Sequence, residues 1–151
     1  MIRSITVVIL GAGRGGTALL EMLAPIPQVQ ILGIADQRAE APGLAVAAAR
    51  QIPISTDPIA LIARPEADLI VNATGDPRML GVILAHKRPE AQVLSGPAAL
   101  VLWAIASRLS WFQVAMDHAN DAIVWIDFQG MIVWANRQAE RLGARPIAHL
   151  V

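Results

Sequence analysis

The sequence predicts an α/β fold, a doubly wound parallel sheet covered by helices, and three observations carry that prediction. Short apolar runs alternate with segments of helical pattern over the first hundred residues. Those runs are continuously apolar, as in strands buried on both faces. The first breaks into a glycine-rich turn, Gly11-Ala12-Gly13-Arg14-Gly15-Gly16, and an acid, Asp36, follows the second.

The elements follow in order. Ile5 to Leu10 is the first strand, and a helix with apolar Leu19, Leu20 and Leu23 comes after the glycines. Val29 to Ala35 is the second strand. Pro42 to Gln51 is an alanine-rich helix with proline near its first turn. Ile52 to Ser55 forms a short third strand, and Asp57-Pro58 caps a helix reaching about Arg64. Asp68 to Ala73 is the fourth strand, Arg78 to His86 a helix, and Ala91 to Leu94 the fifth strand. Such alternation implies right-handed crossovers.

The glycine turn in this setting is a dinucleotide fingerprint. Gly11 permits the tight turn, Gly13 lacks a side chain where a pyrophosphate approaches, and Gly16 lets the helix lie close to the strand. The amides and positive dipole end of the helix face the phosphates. Asp36 suits the two ribose hydroxyls and repels a 2′-phosphate, which favours NAD over NADP; Arg38 nearby weakens that preference. Gln37 joins them at the strand end. FAD and S-adenosylmethionine use related folds and stay open as ligands, as does a scaffold that has kept its glycines only for packing.

Ligands of doubly wound sheets sit at the carboxyl ends of the strands. Thr74, Gly75 and Asp76 follow the fourth strand on that edge and are expected beside the pyrophosphate or a ribose; the alternative is a turn in which Asp76 caps the next helix. Arg14 is expected either on phosphate or in solvent. Ser95-Gly96 lies on the same edge. His86 and Lys87 precede the fifth strand, so they belong to the opposite edge, where a helix C-terminus explains them. With no tyrosine in the chain, no proton-transfer group stands at the ligand edge, and the sequence leans against catalysis. No metal-ligating set is read.

Composition limits the remaining classes. The 151 residues carry 12 basic and 12 acidic side chains, with no basic stripe, so nucleic acid is not an expected partner. No cysteine is present, which excludes disulfides and thiolate chemistry and is compatible with a cytoplasmic location. The longest uncharged stretch, Ala91 to Ser107, is interrupted by Gly96-Pro97 and is too short beyond it to span a membrane.

Ala98 to about His118 reads as one helix. Apolar residues at 98, 102, 105, 109, 112 and 116 are spaced 4, 3, 4, 3 and 4, an a/d seam. It predicts a homodimer through 98–118 or packing of this stripe on the sheet, and the two are compatible if the first half packs on the sheet while the second projects. Ala122 to Asp127 and Met131 to Ala135 then form a hairpin, followed by a short helix from Asn136 to Leu142. Trp103, Trp111, Trp125 and Trp134 are assigned to this second half as apolar bulk awaiting a core or partner.

The last quarter of the chain resembles the opening of a PAS sensor domain, through Asp127, Gly130, Asn136, Ala139, Glu140, Leu142 and the following Arg145-Pro146-Ile147. Three strands of that family's sheet are missing, which suggests a truncated polypeptide, a fragmentary gene product or the N-terminal part of a longer signalling protein. The N-terminal part is similar to the NAD-binding half of glucose-fructose and inositol-type oxidoreductases, through Gly11, Gly13, Gly16, Asp36 and Thr74-Gly75. Where those enzymes have a catalytic lysine in Glu-Lys-Pro, this chain has Ser95-Gly96-Pro97. Together the resemblances imply a Rossmann domain over 1–97, a linker helix over 98–118 and a PAS fragment over 119–151. The function expected from them is sensing of NAD or NADH, passed to an output domain outside this chain, a kinase or a transcriptional activator. The alternatives are the cofactor half of an NAD-dependent oxidoreductase and a structural dimeriser.

Overall fold

The computed structural model describes residues 4–126 and 128–144. It divides into two compact units, Met1–Ser107 and Arg108–Val151. The division falls inside a helix, further along the chain than the sequence places the end of the first domain.

The first unit is a five-stranded parallel sheet in the order β3-β2-β1-β4-β5. Its strands are β1 (Ile5–Leu10), β2 (Val29–Ala35), β3 (Ile54–Ser55), β4 (Leu69–Asn72) and β5 (Gln92–Leu94). The helices are α1 (Arg14–Leu23), α2 (Pro42–Ala49), α3 (Pro58–Ile62), α4 (Met79–His86) and α5 (Pro97–Asp117). The doubly wound α/β class expected from the sequence is the one observed.

Central β1 shows why the strand is apolar throughout. Val7 and Ile9 point into a layer with Leu19 and Leu20 of α1 and Leu44 of α2. Val8 and Leu10 point the other way, onto Leu61 and Ile62 of α3 and Ile83 of α4. Successive side chains of a strand face opposite sides, so a strand with two covered faces needs an apolar residue at every position. Burying each such side chain contributes about 1.5–3 kcal/mol.

Several elements are shorter than expected, for local reasons. β3 loses Ile52 and Pro53: Gln51 adopts a left-handed φ of 59°, and the Ile52 amide turns back to Ala47 O at 2.9 Å. Pro53 has no amide to offer a ladder, though its carbonyl accepts the Ile34 amide at 3.0 Å. α3 begins as expected, with the Asp57 side chain accepting the Ile59 amide at 2.9 Å.

The start of α5 lies on the α1–α2 face of the sheet through Leu102 and Ala106, and Ala99 on the same helix is also buried. This revises the seam read from the spacing. Leu102 turns toward the core, while Ala98 and Ile105 of the same seam are exposed. Trp103 also belongs to this unit and not to the C-terminal half. The side chain of Leu109, another seam residue, lies outside the described set.

The second unit contains the end of α5, an antiparallel hairpin of β6 (Val124–Ile126) and β7 (Ile132–Ala135), and α6 (Arg137–Arg141). Trp125 stands opposite Trp134, their rings 5.1 Å apart, and Phe112 lies 6.2 Å from Trp125. Fully buried Asn136 organises the unit. Its Oδ1 accepts the amides of Ile123 and Ala139 at 2.9 and 3.0 Å. Its Nδ2 donates to Met116 O and Asp121 O at 2.8 and 2.9 Å. The bond to Ile123 explains why β6 starts after it. Asp127 and Arg145-Pro146-Ile147, invoked for the PAS resemblance, lie outside the described residues. Among the described residues, no helix is long and apolar enough to cross a membrane.

Candidate functional site

The order β3-β2-β1-β4-β5 reverses its direction of winding between β1 and β4, and the crevice outside the carboxyl ends of those strands is where such sheets take ligands. The glycine turn occupies that point. Gly11 has φ of 91°, and a Cβ there would lie 2.8 Å from the Ala73 carbonyl and the Thr74 amide, so only glycine fits between the two strand ends. A Cβ on Gly16 would lie 1.7 Å from Gly11 O, which shows how closely α1 is seated on the turn.

Gly13 differs from both. An added Cβ would meet only Arg38 Nη2, at an ordinary 3.5 Å. The protein's own packing thus leaves room at Gly13, as a cradle for a ligand requires. Gly13 is also the N-cap of α1, and no side chain caps the helix. A helix start left without a side-chain cap, at the switch point of the sheet, is a ready anion site.

Two clefts flank this turn. One, of about 340 Å³, is lined by Gly11, Asp36, Gln37, Arg38, Thr74 and Asp76 among others. The other, of about 370 Å³, is mainly apolar and includes Gly15, Gly75, Asp76, Ser95, Leu100 and Trp103. Asp76 belongs to both.

Asp36 is bonded to the turn it faces: its Oδ2 accepts the Ala12 amide at 2.8 Å. The Arg38 guanidinium approaches the same carboxylate at 3.2 Å. Burial works to raise the Asp36 pKa, but the bonds from the Arg38 side chain and backbone and from Ala12 outweigh it and hold the carboxyl below its ordinary value. Asp36 also raises the pKa of Arg38.

After β4, buried Asn72 ties the edge together. Its Nδ2 donates to Ser95 Oγ at 3.0 Å, and its Oδ1 accepts the Thr74 hydroxyl at 2.7 Å and the Thr74 amide at 3.2 Å. The Thr74 hydroxyl oxygen in turn accepts the Asp76 amide at 3.1 Å. Asp76 accepts the Arg78 amide at 2.9 Å and pairs with its guanidinium, also at 2.9 Å. The side-chain bond from Arg78, followed by its backbone bond, lowers the Asp76 pKa.

The structure therefore gathers Gly11, Asp36, Gln37, Arg38, Thr74, Gly75 and Asp76 around the crevice. Arg14 is exposed on the first turn of α1 and lines neither cleft. Asn72, Ser95 and Trp103 join the set. Asn72 was legible as the polar end of an otherwise apolar strand. Trp103 was legible only from its helical spacing with Ala99 and Ala106.

His86 and Lys87 stand at the other edge of the sheet, at the C-terminal end of α4. The Lys87 ammonium donates to Arg88 O and Pro89 O. Arg88 there holds Asp68 at 2.8 Å and Ala67 O at 2.8 Å, and Asp68 accepts the Thr6 amide at 3.1 Å. Among the described residues no cluster of three or more His, Cys, Asp or Glu could hold a metal ion.

No protein-family model and no curated protein matches this chain. Solved structures do. Homoserine dehydrogenase from S. aureus is 14% identical over 74% of this chain and 31% of its own, with a TM-score of 0.52. A myo-inositol dehydrogenase from Corynebacterium glutamicum is 28% identical over 54% of this chain and 23% of its own, with a TM-score of 0.44. Biliverdin reductase from Synechocystis is 23% identical over 70% of this chain and 35% of its own, with a TM-score of 0.46. The chain thus spans only about a quarter to a third of the length of these structures. What the likeness to the homoserine dehydrogenase establishes is the fold, a Rossmann-like doubly wound sheet.

Proposed function

We propose that residues 4–107 bind a nicotinamide dinucleotide and form a cofactor domain of the oxidoreductase type. The observation that carries this reading is Gly13, where the protein's own packing leaves space in front of a helix start that no side chain caps. The pyrophosphate would meet that turn, the adenosine the cleft of Asp36 and Arg38, and the nicotinamide the cleft of Ser95 and Trp103. Bound there, the dinucleotide would supply hydride transfer. The residues of this chain hold and orient it: Gly11 and Gly16 shape the turn, Asp36 fixes the Ala12 amide, and Asn72 ties the β4 and β5 edges together.

The direct test is titration of the full chain with NADH, read as quenching of tryptophan emission and sensitised NADH emission. Saturable binding in the micromolar range supports the reading, and an absent response overturns it.

A second reading makes the domain a sensor. One observation favours it: a single helix, α5, belongs to both units. Here the hairpin and α6 are the start of a PAS-like module, and α5 carries the ligand state toward an output domain. Dimerisation through 98–118 belongs to this reading, with exposed Val101 and Ile105 available to a second copy. A ligand shifts only an equilibrium whose two states it binds unequally. A dimer affinity that changes with NADH, measured by sedimentation, supports sensing. Unchanged dimer affinity together with oxidation of NADH by small carbonyl compounds leaves the cofactor-domain reading alone.

A further inference from the structure

In this fold NAD(H) and NADP(H) are told apart by what meets the adenosine ribose at the end of the second strand. Here that position holds Asp36 and Arg38, and the two are bonded to each other. Asp36 Oδ1 accepts the Arg38 amide at 3.0 Å and Arg38 Nε at 3.2 Å. Asp36 Oδ2 accepts the Ala12 amide at 2.8 Å and Arg38 Nη2 at 3.2 Å. A carboxylate offers about four lone-pair sites. These four donors fill them, so a ribose diol finds a free acceptor on Asp36 only after Arg38 lets go.

The guanidinium has the opposite balance. Of its five N–H groups, two are directed at Asp36, which leaves three for a further anion. Its side chain is 63% exposed against 10% for Asp36, and it lines the same cleft as Gly11 and Thr74. Glu40 is the other carboxylate that acts on it. The planar fork of arginine matches phosphate oxygens as well as carboxylates. The pairing also cancels much of the repulsion that a bare Asp36 would exert on a 2′-phosphate.

We infer that this site admits a 2′-phosphate on Arg38 and takes NADP(H) as well as NAD(H), discriminating between them by less than tenfold. Arg38 is then the specificity-determining residue, while Asp36 positions the glycine turn through Ala12. The inference rests on the reading that the crevice binds a nicotinamide dinucleotide.

Calorimetric titration of the full chain with NADH and with NADPH tests it, in the wild type and in Arg38→Gln. The expected result is wild-type dissociation constants within tenfold of each other. In the variant the NADPH constant rises at least tenfold relative to the NADH constant, because the guanidinium that meets the 2′-phosphate is gone while Asp36 is freed for the ribose. Wild-type NADH binding more than tenfold tighter than NADPH overturns the inference. So does an Arg38→Gln variant that weakens both nucleotides equally. Failure of the wild type to bind either nucleotide overturns the dinucleotide reading itself, a result distinct from both.

Discussion

The Asp36 carboxylate accepts the Ala12 amide at 2.8 Å, so the acid that ends β2 is bonded to the glycine turn that ends β1. The sequence assigns this acid to a ribose; the structure gives it the additional task of holding the turn. Replacing Asp36 by alanine leaves a largely buried amide without its partner, and a loss of about 1–3 kcal/mol is expected.

That loss depends on pH, with a sign set by the direction of the Asp36 shift. The folded-state pKa is lowered from 3.8. The stabilisation is therefore complete above the unfolded value and disappears as pH falls through the lower folded value. Denaturant unfolding of wild type and Asp36→Ala followed by circular dichroism is expected to differ near pH 7, and the difference is expected to narrow progressively as pH falls below about 4. A constant difference down to the acid limit would show that ionisation of Asp36 is not the source.

Gly15 and Gly16 are neighbours with opposite expected outcomes. A Cβ on Gly16 meets the Gly11 carbonyl oxygen at 1.7 Å, a backbone atom that cannot move aside without displacing α1. Gly16→Ala is expected to cost about 3 kcal/mol or more. A Cβ on Gly15 meets the Trp103 ring at 3.4 Å, and the position is helical, so Gly15→Ala is expected to be neutral or stabilising by up to about 1 kcal/mol. Thermal unfolding of the two variants checks this, and equal losses would contradict the placement of the turn.

The two edges of the sheet separate stability from binding. Arg88 holds Ala67 O and Asp68 at the edge away from the crevice. Arg88→Ala is expected to lower stability by about 1–3 kcal/mol while leaving the NADH dissociation constant within about threefold, a difference under 1 kcal/mol. A larger change in affinity would place Arg88 in the binding machinery.

In the second unit Asn136 uses one side chain for four bonds, to Met116, Asp121, Ile123 and Ala139. Asn136→Asp keeps the acceptors but removes both donors and buries a charge beside two carbonyls. A loss of about 2–4 kcal/mol is expected in this unit. The readout is the emission of Trp125 and Trp134, which stack within it. An unchanged emission spectrum and melting curve would contradict that role.

Much of the first unit was legible because its signals are local. β1 and β2 run over the residues expected from their apolar runs, and Asp57-Pro58 starts α3 as its residue types require. The glycine spacing located the turn because Gly11 and Gly16 answer to backbone sterics. The sequence could not reveal how polar groups are shared. The Asp36–Ala12 bond spans 24 residues and the Asn72–Ser95 bond 23, and both exist only once β1, β2, β4 and β5 lie side by side. The α5 seam left two packings open for a related reason. The helix is apolar on most sides, so a heptad reading and a sheet-packing stripe fit the same residues, and tertiary packing chose Ala99, Leu102 and Ala106.

We assign the space at Gly13 to the pyrophosphate of a dinucleotide. Calorimetry of the full chain with NADH, beside Gly13→Val, tests it most directly. An added Cβ meets only Arg38 Nη2 at 3.5 Å, so the variant is expected to fold, with about 1 kcal/mol lost at the N-cap of α1. Micromolar binding by the wild type and a loss of at least about a hundredfold in the variant, some 2.7 kcal/mol, is the predicted result. Equal NADH binding by both proteins would contradict that assignment.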